Sequence, residues 1–77
     1  MKNGTIKING VYGAKVGHRQ VFTYSGAVRM YKIFASVCYG NITMESSSVL
    51  SDAAQDMIKL GFSWDELEQF EHEVLSA

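Results

Sequence analysis

The sequence predicts an α+β domain, with a small antiparallel sheet of three to four strands in the N-terminal half covered by a C-terminal helical hairpin. Three observations predict it. Six of the seven glycines (Gly4, Gly10, Gly13, Gly17, Gly26 and Gly40) fall in residues 1–44, where they punctuate segments rich in Val, Ile, Tyr, Phe and Thr. From Ser46 onward the apolar residues recur at helical spacing. The charge changes sign at the same place: residues 1–44 hold six bases and no acid, for +6, whereas residues 45–77 hold all eight acids and Lys59, for −7.

Thr5 to Asn9 alternates, with Ile6 and Ile8 on one face and Lys7 on the other, and Asn9-Gly10 is the dipeptide a tight hairpin turn favours. Arg19 to Tyr24 and Ala27 to Phe34 flank Ser25-Gly26 and read as two further paired strands. The segment from Ala27 to Tyr39 carries two patterns at once. Its β-branched and aromatic content favours strand, yet Met30, Ile33, Phe34 and Val37 also satisfy a helical repeat that ends before Gly40-Asn41. Strand is the reading adopted.

The helical half is written in local chemistry. Ser46, Ser47 and Ser48 supply capping hydroxyls, Leu50, Ala53, Ala54, Met57 and Leu60 form an apolar stripe, and Gly61 sits where a left-handed C′ residue belongs. Ser63 then opens a second helix as N-cap, with Glu66 completing a capping box and Phe62 placed to staple onto Leu67. Trp64, Leu67, Phe70 and Val74 form its expected buried stripe, and Asp65, Glu66, Glu68, Glu71 and Glu73 fill the remaining surface.

At 77 residues the chain makes one domain, residues 1–77, with a basic half and an acidic half. A domain of this size buries only about 60% of its unfolded surface, so a partner or a second copy is a natural source of extra stability. Cys38 is the lone cysteine, which excludes an internal disulfide and fits a reducing compartment. No stretch approaches the roughly 20 apolar residues of a membrane span or has signal-peptide character. The chain opens at Met1 without a visible tag; the expectation is a complete, cytoplasmic protein.

No catalytic or metal-binding pattern emerges, and no cofactor is expected. His18 lies between Lys15 and Arg19, which oppose both protonation and a metal. His72 has Glu68 one turn away, but lacks the further ligands a zinc site needs. Cys38 sits among apolar neighbours that would raise its pKa, and the glycines match neither phosphate-binding consensus. These points favour a noncatalytic role.

Two binding surfaces remain, each set against the plainer reading of a solvated face or a packed core. The favoured one is the acidic helix face, Asp65, Glu66, Glu68, Glu71 and Glu73, docking a protein with a basic surface. In size and charge the chain resembles small inhibitors or adaptors, including those of phages and mobile elements, that occupy nucleic-acid-handling proteins. The alternative is single-stranded nucleic-acid binding by Arg19, Arg29, Lys32, Tyr24 and Tyr31 on a basic, aromatic sheet. A structural or oligomerising subunit is a further reading. A DNA-reading helix-turn-helix is excluded, because the last helix carries five acids and no base.

Overall fold

The computed structural model describes residues 13–76. The chain runs β1 (Ala14–Val16), β2 (Arg19–Val21), α1 (Tyr24–Gly40), α2 (Met44–Lys59) and α3 (Trp64–Ser76). The α+β class holds, but the described residues contain a two-stranded antiparallel sheet rather than three or four strands. Ala14 pairs with Val21 and Val16 with Arg19, so the tight turn is Gly17-His18. Gly17 adopts φ +63, and a Cβ there would lie 2.7 Å from Phe34 Cε2, so glycine is required twice over. The strand expected at Thr5 to Asn9, with its Asn9-Gly10 turn, lies outside the described residues.

The main correction is α1. The segment read as strand from Ala27 is helix, Ser25-Gly26 is its first turn rather than a hairpin, and the strand expected to reach Tyr24 stops at Val21. Thr23 is the N-cap. Its Oγ1 accepts from the backbone N–H of Gly26 at 2.9 Å, in the space a Cβ on residue 26 would crowd. The buried positions are Ala27, Tyr31, Ala35 and Cys38, spaced four, four and three apart, which is a helical stripe. Ile33 and Val37 lie on a different face and are exposed, so the helical repeat visible among the larger residues is rotated away from the true core face. The two alanines make α1 narrow on its inner side.

α1 is the central element: it packs on both α2 and α3, which touch each other much less. The core gathers Val16 and Val21 from the hairpin, Ala27 and Tyr31 from α1, Ala53, Ala54 and Met57 from α2, Leu60 and Phe62 from the following turn, and Leu67 from α3. The hairpin closes one end, where Asp56 Oδ2 accepts the Gly17 N–H at 3.0 Å.

α2 begins one turn earlier than the serine run suggested. Thr43 is its N-cap, and Thr43 and Ser46 form a reciprocal capping box; Ser46 is thus the third helical residue rather than the cap. The α2–α3 junction follows the expected chemistry. Phe62 N–H donates to Met57 C=O and Gly61 N–H to Ile58 C=O, the paired bonds of a Schellman motif, with Gly61 at φ +100. Ser63 and Glu66 exchange the two bonds of the second capping box at 3.0 and 3.1 Å. The buried face of α3 is narrower than the sequence suggests: Leu67 is buried and Phe70 and Val74 are half-buried, but Trp64 is 63% exposed. It stands at the first helical position and lines a surface depression at the edge of the core, with Tyr31, Cys38 and Ala54.

Candidate functional site: the acidic face of α3

The five acids of α3 divide into two groups. Glu66 is committed to the capping box, and Glu71 and Glu73 turn back toward α1. Glu71 takes two phenols: Tyr31 donates to its Oε2 at 2.8 Å and Tyr39 donates to its Oε1. Tyr31 is 1% exposed, so this bond satisfies the polar tip of a core ring. Burial, then the hydrogen bond to Glu71, pushes the Tyr31 phenol well above its ordinary value. Tyr39 is pushed up to about 12, first by its hydrogen bond to Glu71 and then by burial. Glu71 contributes to both shifts, since a phenolate beside a carboxylate would replace a donated proton with repulsion.

Glu73 Oε2 lies 2.9 Å from Lys32 Nζ, and the same ammonium sits 5.6 Å from the centre of the Phe70 ring. This is the ion pair that joins the basic and acidic halves among the described residues. Both side chains are substantially exposed, so the pair adds only about 0–1 kcal/mol.

Asp65 and Glu68 form the second group. With Gln69 and His72 they line a shallow depression on the outer face of α3, and neither carboxylate makes an ion pair among the described residues. Trp64 stands one helical turn before Glu68, but its indole lines a different depression, with Tyr39, Ile42, Leu50 and Glu71. The chain therefore presents an exposed indole on one flank of α3 and two solvent-facing carboxylates on the next. Sequence periodicity misses Trp64, because position 64 falls in phase with Leu67; the signal that could have found it is its place at the helix start, where the core stripe has not yet begun.

The basic residues do not assemble as the nucleic-acid reading requires. Arg29 and Lys32 lie on α1 beside a shallow depression, and Arg19 lies on β2 in a separate groove. Tyr24 packs edge-to-face on Phe62, with ring centres 6.1 Å apart, and Phe62 continues to Phe70 at 6.0 Å. Tyr31 is in the core. Neither tyrosine belongs to a strand.

Cys38 is buried, with its Sγ 3.9 Å from Ser47 Oγ. Among the described residues no group of three or more His, Cys, Asp or Glu side chains is placed to hold a metal ion. No described helix is long and apolar enough to cross a membrane. Set against protein-family models, curated proteins and solved structures, the chain matches none.

Proposed function

We propose that the chain is a noncatalytic protein-binding module whose α3 docks a basic protein surface through Asp65 and Glu68, with Trp64 as the apolar anchor. The observation that carries this reading is an exposed indole one helical turn before Glu68, on the flank next to a face whose two carboxylates make no ion pair among the described residues. Tryptophan is among the residues that contribute most to binding when a partner encloses them. Carboxylates at the rim steer encounter and select the partner's charge more than they raise affinity. The long axis of 35 Å exceeds the screening length of about 8 Å at physiological salt, so a partner meets one pole and not the cancelled total. Proteins that handle nucleic acid neutralise its phosphates with lysine and arginine and so present such a basic surface, and an inhibitor or adaptor of one is a role this chemistry suits.

Glu66, Glu71 and Glu73 belong to the same acidic helix, but their part is to shape it. The test is affinity capture from host extract with the unaltered chain, D65K/E68K and W64A, each checked for native helix content. Specific recovery of a basic protein by the unaltered chain, lost with either variant, is the expected result. Equal recovery by all three would sink the proposal. Replacing Arg19 and Arg29 with glutamate should leave recovery unchanged, whereas retention on single-stranded RNA or DNA that these changes abolish would decide for the nucleic-acid alternative.

A further inference from the structure

A second surface lies on the other side of α1. The hairpin, α1 and the start of α2 enclose a groove of about 540 Å³, with His18 and Arg19 from the hairpin, Ile33 and Val37 from α1, and Glu45 and Val49 from α2 among its lining. Ile33 is 45% and Val37 59% exposed, one helical turn apart on the most central helix of the fold. Among the described residues the pair gives this side of α1 an apolar strip within the groove.

We infer that this groove is a homodimer interface, in which a second copy of the chain packs its α1 antiparallel to the first across a two-fold axis. The rim chemistry points to a like partner. A two-fold interface uses one patch twice, so its charges must complement themselves. Arg19 and Glu45 come from different elements at the rim of the groove, and neither makes an ion pair among the described residues. Rotation about an axis at the apolar floor brings the Arg19 side of one copy to the Glu45 side of the other, while Ile33 and Val37 pack at the centre. A partner of one charge sign would satisfy one rim and repel the other.

The dipole of α1 supports the same arrangement. Its 17 residues carry no acid in the first turn and no base in the last, so neither end is compensated by its own side chains. An antiparallel neighbour sets the two dipoles against each other. With the axis midway between Ile33 and Val37, Ile33 of one copy meets Val37 of the other, and Arg29 comes to the C-cap Asn41, supplying the cation the last turn lacks. This interface is separate from the face that bears Trp64, Asp65 and Glu68, so it stands or falls independently of the protein-binding role.

Sedimentation equilibrium of the full chain tests it. The expected mass is twice 8.6 kDa, falling toward the monomer on dilution. V37D should give a monomer with unchanged helix content, R19E and E45R should each weaken association about tenfold, and the combined R19E/E45R should recover most of that loss. W64A should associate like the unaltered chain. A monomer at every soluble concentration overturns the inference, as does a dimer indifferent to V37D or a charge swap without recovery. Unfolding of the V37D monomer would overturn it too, since that result assigns the cover of α1 to the chain's own remaining residues.

Discussion

α1 and the α2–Gly61–α3 turn are held in place by different kinds of interaction. The turn is specified within ten residues: Met57 and Ile58 carbonyls accept from Phe62 and Gly61, and Ser63 and Glu66 cap the next helix. α1 has one comparable device, the Thr23 cap, and otherwise depends on what its inner face meets. Tyr31 shows this dependence most clearly, because its ring is in the core and its hydroxyl reaches Glu71, 40 positions along the chain. Local chemistry fixes where α2 ends and α3 begins, whereas tertiary burial decides that residues 24–40 are helical at all.

The largest test of this contrast is Tyr31→Ala, which removes a buried aromatic ring and leaves Glu71 with one phenol. It should cost about 3–5 kcal/mol in denaturant unfolding. Tyr31→Phe should cost less, about 1.5–3 kcal/mol, because only the hydrogen bond to the carboxylate is lost. Gly17→Ala comes next, at about 1–2 kcal/mol for the left-handed backbone alone, with the Phe34 ring displaced in addition. Ser63→Ala should cost about 1 kcal/mol. A larger loss at Ser63 than at Tyr31 would reverse the contrast.

Alkaline titration sharpens the same comparison without a substitution. The folded state holds Tyr39 neutral to about 12 against an ordinary 10.0, and shifts Tyr31 in the same direction. Folded pKa values above the unfolded ones mean that the Tyr–Glu71 stabilisation is complete below pH 10 and is lost as pH rises through 12. Phenolate absorbance followed beside far-ultraviolet circular dichroism should show α1 and α3 separating as these phenols ionise. Ionisation near 10 with the helices intact would remove Glu71 from the account. The smallest effect is expected from Lys32→Met, within about 0.5 kcal/mol, since its partner Glu73 is half in water.

How much was legible follows from the same division. Gly61, the Ser63–Glu66 box and the acidic surface of α3 are set by residues three or four positions apart, and sequence reading finds them. The nature of α1 was not legible, because Tyr, Val, Ile and Phe suit a strand by propensity and only burial decides otherwise. Alanines mark its core face, and small residues carry little weight in a search for apolar repeats. The charge boundary near Glu45 was legible as a boundary, but it separates α1 from α2 rather than a sheet from helices. In the candidate site, Asp65 and Glu68 are where helical spacing puts them; the diversion of Glu71 and Glu73 toward α1 depends on Tyr31, Tyr39 and Lys32, at least 32 positions away.

The bond from Gly17 N–H to Asp56 Oδ2 spans 39 positions and ties the tip of the hairpin to the last turn of α2. Such a bond can close only after α1 and α2 have come together, which places the docking of the hairpin late in folding. Interactions made after the rate-limiting barrier govern how fast a protein comes apart more than how fast it assembles. Asp56→Ala, which removes the acceptor, should accordingly leave the refolding rate nearly unchanged and quicken unfolding, so this single carboxylate acts as a latch on the lifetime of the native state.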